Sequence, residues 1–196
     1  MIDVSKIPAN EPVRVIIGAG TQSYPGWIAT QREQLDLLHS ADWAASFGER
    51  LVEAFLCEHV WEHLTEAEGR FAASLCFTYL QPGGYLRCAV PDGNFPNAAY
   101  QLMVRPGGPG PRDHAAADHK ILYDYQHLTA TFASAGFDVD LLEYCDAAGR
   151  FHYHQWSNAD GPIYRSLMSD HRNKGGTIEF VSLIVDARKP PIVRRM

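Results

Sequence analysis

The chain has 196 residues, of which 46% are hydrophobic and 20% charged, and its formal net charge is −6. That length suits one α/β domain with a real core, and the near-average composition speaks against disorder. The acidic balance lacks the footprint of a nucleic-acid binder, and no apolar run is long enough to span a bilayer, so neither nucleic acid nor membrane is an expected partner.

The opening Met1-Ile2-Asp3-Val4-Ser5-Lys6 does not have the shape of a secretory signal. Cys57, Cys76, Cys88 and Cys145 stand in separate apolar segments with no CxxC pair. They read as reduced core thiols of a cytoplasmic protein. No clustered zinc ligands are visible, and no metal-binding set is assigned. Arg194-Arg195 reads as a frayed basic tail.

Val13 to Ile17 is apolar and largely β-branched and reads as the first strand, ending in Gly18-Ala19-Gly20. Pro25-Gly26 follows so soon that hardly a helix fits before a short second strand, Trp27 to Thr30. A helix containing Trp43, Ala44, Ala45 and Phe47 leads to a third strand, Leu51 to Leu56. In TEAEGRFAASLCFTYL, Glu68 stands three residues after Thr65, a capping-box pattern. Phe71, Leu75 and Tyr79, with Cys76 and Leu80 beside them, form its apolar stripe, and Gln81-Pro82-Gly83-Gly84 stops it.

A fourth strand is expected over Tyr85 to Val90. Pro106 to Ala117 is a glycine- and proline-rich loop, long enough to be functional or mobile. LTATFASAGF is a helix with Leu128, Phe132 and Ala135 inward and Gly136 as its stop. Val139 to Tyr144 and Ile178 to Ala187 complete the strands. Such near-continuous apolar strands are buried on both faces, the mark of a mostly parallel sheet between helix layers.

The segment YLQPGGYLRCAVPD (Tyr79 to Asp92) joins a helix end, a tight turn and a central strand. With FLCEHVWEHLTEAEGR (Phe55 to Arg70) before it and IGAG earlier, the order resembles class I S-adenosylmethionine-dependent methyltransferases. More narrowly it is similar to short bacterial members in which GAG or GCG is followed at once by PGW. The resemblance runs from about Val13 to Pro190. It implies a single doubly wound domain over 1–196, with 13–90 as the cofactor side and 91–170 as the acceptor side and lid. It also implies a seven-stranded sheet whose last strand, Ile178 to Ala187, runs antiparallel between its neighbours. The reaction implied is methyl transfer from S-adenosyl-L-methionine to an oxygen, nitrogen or carbon of a small molecule.

Gly18 and Gly20 let the backbone approach a ligand, and the methionine half of the cofactor carries no phosphate that would demand a helix N-terminus. Gly18, Ala19, Gly20 and Thr21 are therefore the expected cofactor turn. Gln22 occupies the usual third-glycine position, and Ile16-Ile17 replaces the usual acidic residue before the first glycine. Gln31 stands where the family carries an acid for the ribose hydroxyls; it can accept and donate, without the charge that strengthens such bonds. Gln31→Glu is accordingly expected to tighten cofactor binding.

Asp36 and Leu37 would lie toward the adenine, or else only form a helix-initiating turn. Cys57, Glu58 and His59 follow the fourth strand of the resembling fold, where ligands gather. Glu62 and His63 read as the start of the next helix.

His114, Asp118, His119 and Lys120 lie on or beside the long loop, and His152 and His154 share one face if extended. A substrate pocket with a general base, a metal site and a solvated surface compete as explanations. His119 is the candidate base, with His154 and His59 as rivals. Two other functions remain open: a non-catalytic nucleoside-binding or regulatory protein on the same fold, and a metal-dependent hydrolase. The acceptor and the oligomeric state are not legible in the sequence.

Overall fold

The computed structural model describes residues 2–108, 116–173 and 177–192. His114, most of the long loop and Arg194-Arg195 lie outside the described residues. The strands are β1 (Arg14–Ile17), β2 (Ile28–Ala29), β3 (Val52–Glu58), β4 (Leu80–Pro91), β5 (Asp138–Cys145), β6 (Phe151–Tyr153) and β7 (Ser182–Arg188). They form one seven-stranded sheet in the order β2-β1-β3-β4-β7-β5-β6. β1 pairs in parallel with β2 and β3, and β3 with β4. β7 runs antiparallel between β4 and β5, and β6 is an antiparallel edge on β5. This is the single α/β sheet expected, including the reversed last strand.

Alternation along the strands sorts the core into two faces. Val15, Ile17, Phe55, Cys57, Leu86, Cys88 and Val185 point to one side. There they meet α1 (Ser40–Phe47), α2 (Glu66–Tyr79) and α4 (Tyr125–Ala133) through Trp43, Phe47, Ala72, Cys76, Leu128 and Phe132. Ile16, Leu56, Ala89 and Ile184 point to the other side, where Trp27, Trp156 and Ile163 cover them. A chain segment with a single 3₁₀ turn, Asn158–Asp160, rather than a layer of α-helices, supplies much of that cover. Arg87 anchors it: the buried guanidinium pairs with Asp186 at 2.7 and 3.0 Å and donates to the Ser157 and Gly161 carbonyls at 2.9 and 2.7 Å.

The capping box forms, with Thr65 Oγ1 accepting from Glu68 N at 3.3 Å and Glu68 Oε2 accepting from Thr65 N at 2.7 Å. The inward face of α2 keeps Leu75, Cys76 and Tyr79 of the expected stripe, with Leu80 just beyond it, and loses Phe71. Gly69, Ala72, Ala73 and Cys76 are buried, whereas Phe71 is 44% exposed, because small residues let the helix lie close to the sheet. Gln81-Pro82-Gly83-Gly84 ends α2 but is also part of β4: Leu80 pairs with Val52 and Tyr85 with Ala54, so the intervening residues form an irregularity. β7 begins at Ser182 rather than Ile178, since Ile178 and Phe180 pack instead against a third cluster containing Phe95, Tyr100 and Val104. That cluster includes α3 (Ala98–Val104), a helix without a counterpart in the sequence reading; Asn97 caps it by accepting from Tyr100 N at 3.0 Å.

Candidate active site

β1, β3 and β4 run side by side, with Ile17 beside Cys57 and Cys57 beside Cys88 near their carboxyl ends. Beyond β1 the chain turns at Gly18 and Gly20, whose φ values of 62° and 55° lie in the left-handed region that glycine adopts freely. Ala19 N donates to Thr30 O at 2.8 Å and Gln22 N to Ala19 O at 2.8 Å, closing the turn without a helix. A Cβ on Gly18 would lie 2.6 Å from Val60 Cγ2, whereas one on Gly20 would meet nothing within 4 Å. Gly18 thus serves packing, and Gly20 leaves open space. Gln31 grips the same turn, its Nε2 donating to Gly20 O at 2.7 Å and its Oε1 accepting from Gly20 N at 3.3 Å.

A cavity of about 710 Å³ opens here, bounded on one side by residues 18–24, Glu58, His59, Glu62 and His63. Tyr100, Val104, His119, Tyr164 and Arg165 bound the other side. Glu58 is the knot between the two, accepting from Gln22 Nε2 at 2.6 Å, Tyr164 N at 2.9 Å and Arg165 N at 2.6 Å. His59 follows with φ of 56°, the one non-glycine residue with positive φ among the described residues. Such a conformation is uncommon outside glycine and concentrates at functional sites. Its ring bridges Glu62 Oε1 (Nδ1, 2.9 Å) and Ser182 Oγ (Nε2, 3.2 Å).

Glu62 is fully buried, and its Oε2 has no hydrogen-bond partner among the described residues. His119 Nδ1 lies 2.9 Å from the Val104 carbonyl, which can only accept, so that nitrogen carries the proton. Its other ring nitrogen, Nε2, stands 3.9 Å from Glu62 Oε1 and in the neutral tautomer carries the lone pair. His63 stands edge-on to His119 with centroids 4.9 Å apart. Its Nδ1 is 2.8 Å from Asp118 Oδ1, an ion-pair distance without hydrogen-bond alignment. Tyr100 accepts from Asp92 N at 2.8 Å and donates to Val181 O at 2.7 Å. Burial pushes its phenol far above the ordinary range, so it stays neutral.

The cavity therefore gathers Gly18, Ala19, Gly20, Thr21, Glu58, His59 and His119 from the sequence reading. It does not gather the rest. Cys57 is buried in the helical-face core, and so is Leu37. Asp36 borders a separate surface hollow with Arg32 and His39; its carboxylate accepts from Leu38 N at 2.8 Å, the turn that introduces α1. His154 follows β6 at the sheet edge opposite β2, its Nδ1 2.7 Å from Leu141 O. His152 is 2.9 Å from Asp146, whose carboxyl it holds well below the ordinary range. Glu62, His63, Tyr100 and Ser182 were not read as site residues. The signal for Glu62 lay in EHVWEH, which spaces His59 and Glu62 three residues apart.

No protein-family profile matches the chain, and no curated protein matches it in sequence. Its fold is similar to solved structures. One is a SAM-dependent methyltransferase from Archaeoglobus fulgidus, with TM-score 0.53 and 15% identity over 91% of this chain and 86% of that one. Another is a chain of the complex between the Haloferax volcanii Trm112 methyltransferase activator and a methyltransferase, with TM-score 0.52 and 12% identity over 92% of this chain and 83% of that one. A third is an O-methyltransferase family protein from Burkholderia thailandensis, with TM-score 0.51 and 10% identity over 95% and 54%. At these identities the likeness is one of fold, the seven-stranded sheet with helices that SAM-dependent methyltransferases use.

Proposed function

We propose that this chain transfers a methyl group from S-adenosyl-L-methionine to a small-molecule acceptor. The observation that carries the reading is the cavity of about 710 Å³ at the carboxyl ends of β1, β3 and β4, walled by the Gly18–Gly20 turn and by imidazole and carboxylate groups. Its size is that of a small-molecule site, and its place is where ligands sit in open α/β sheets. The fit to the cofactor rests on the open space beside Gly20, where a side chain would meet nothing beyond its own chain neighbours.

Gly18, Ala19, Gly20 and Thr21 would hold the methionine half by their backbone. Gln22, through Glu58, and Gln31, through Gly20, fix the turn that presents it. The cofactor supplies an electrophilic methyl group on a sulfonium. The chain's own work is to position the acceptor, exclude water and accept a proton. His119 Nε2 is the proton acceptor facing the cavity, with its tautomer fixed by Val104 O at 2.9 Å. His59, held between Glu62 and Ser182, is the second.

Calorimetric titration with S-adenosylhomocysteine tests the reading. One site per chain is expected, lost in Gly20→Val with circular dichroism unchanged. No binding to the wild type, or equal binding to that variant, would refute the placement. Tight binding with no turnover on any acceptor would favour the non-catalytic alternative, for which the internal commitment of Gln31 is the supporting observation.

A further inference from the structure

Glu62, His63 and His119 each offer a ligand atom within 4.8 Å of the other two. We propose that these three residues form a binding site for one divalent transition-metal ion, with Zn²⁺ the best match, open on its remaining side to the cavity. Glu62 and His63 lie in the 3₁₀ turn Trp61–His63, and His119 returns from the long loop. The backbone clamps the two segments together, because Lys120 N and Ile121 N both donate to Glu62 O, at 2.7 and 3.2 Å.

Three features point to a cation at this place. The Glu62 carboxylate is fully buried, yet only Oε1 has a partner, His59, and Oε2 has none among the described residues. A buried carboxylate with an unpaired oxygen is costly without a positive charge nearby. His119 Nε2 and Glu62 Oε1 face each other at 3.9 Å, and with Nδ1 protonated on Val104 O both are acceptors. Something positive belongs between them. Finally, His119 has the outer partner that metal-binding histidines favour, a backbone carbonyl that accepts from its other ring nitrogen.

Two imidazoles and one carboxylate are a donor set suited to Zn²⁺, and three protein ligands leave the fourth position for a water or a substrate oxygen. Ligand atoms about 2.1 Å from a tetrahedral ion stand about 3.4 Å apart, so binding draws no pair in by more than about 1.4 Å from the 4.8 Å within which they all lie. The ion's binding does not depend on the methyl-transfer reading, but it takes the His119 Nε2 lone pair, so with the ion bound the proton acceptor of that reading would be His59. Its use would depend on that reading: in that reaction it would hold an acceptor that offers an oxygen or nitrogen lone pair beside the Gly20 turn.

The test uses the full chain without a histidine tag, stripped with a chelator. Zn²⁺ is titrated by calorimetry and Co²⁺ by visible absorption and proton NMR. One ion per chain is expected, with Co²⁺ bands of a four- or five-coordinate site and hyperfine-shifted imidazole protons from two histidines. Glu62→Gln and His119→Ala should each weaken binding by roughly a hundredfold or more, while His171→Ala, on an exposed turn, binds as the wild type does. Absence of binding to the wild type, or equal binding by Glu62→Gln and His119→Ala, overturns the site. If those variants do not fold, the Co²⁺ spectrum of the wild type decides, because a spectrum without shifted histidine protons also overturns it. S-adenosylhomocysteine titrated in the presence of chelator reports separately on the cofactor reading, so either claim can fail alone.

Discussion

Gln31 Nε2 donates to Gly20 O at 2.7 Å while Oε1 accepts from Gly20 N at 3.3 Å, so one amide holds both sides of one residue. Glutamate at this position keeps the acceptor, loses the donor and sets a carboxylate against a carbonyl oxygen. Gln31→Glu is therefore expected to destabilise the turn by about 1 kcal/mol, seen as a lower Tm, with S-adenosylhomocysteine bound no more tightly. A tighter complex would instead mean that a carboxylate at this position reaches the ligand rather than the turn. Gly18 offers a second residue-scale test. Gly18→Ala forces an L side chain into the left-handed region, at about 1–2 kcal/mol, and pushes Val60 aside. Adding Val60→Ala should recover only the second part, measured by urea unfolding; no recovery would mean that Val60 yields freely.

The capping box at the start of α2 is a short-range device, and it was legible because both partners lie within one turn of sequence. Thr65→Ala should cost about 1 kcal/mol. Its pH dependence has a definite sign. Hydrogen bonds from Thr65, then the contact with Lys120, hold the Glu68 carboxyl at about 2 against an ordinary 4.5. The folded value is depressed, so the contribution is full above pH 4.5 and is lost as pH falls through about 2. The Tm gap between wild type and Glu68→Ala should therefore be widest near neutrality and shrink on acidification; a gap independent of pH would remove the charge from the explanation.

The inward face of α2 was less legible, since large apolar residues mark a stripe in sequence while Gly69, Ala72 and Ala73 set how closely the helix approaches the sheet. The glycine turn could be read because a strand and its turn are contiguous. The cluster of Glu62, His63 and His119 could not. It exists only because β4 and α3 intervene and the chain then returns to donate two backbone N–H groups to Glu62 O.

Across the whole molecule, the two faces of the sheet are closed by different means. Helices cover one through an extensive apolar contact, and the other depends on Trp27, Trp156 and Ile163 together with Arg87. Arg87→Met should lower stability by about 3 kcal/mol or more, because it leaves Asp186 buried with only Arg188 at 2.7 Å and frees the Ser157 and Gly161 carbonyls. Limited proteolysis should then cut first near Asn158–Asp160. A variant with unchanged urea midpoint would show that the apolar contacts suffice to hold this cover.

The two amides that converge on Glu62 O make the pocket's own opening measurable. Lys120 N and Ile121 N both donate to it, so His119 cannot swing out with its segment until these bonds part. Their hydrogen–deuterium exchange rates therefore read the free energy of that local opening directly, without a substrate or an assay. Any molecule or ion that bridges Glu62 and His119 must slow both amides together, by the factor one plus its concentration over Kd. A compound library can then be screened by the exchange of two backbone protons, and ligands of this cavity found before its chemistry is known.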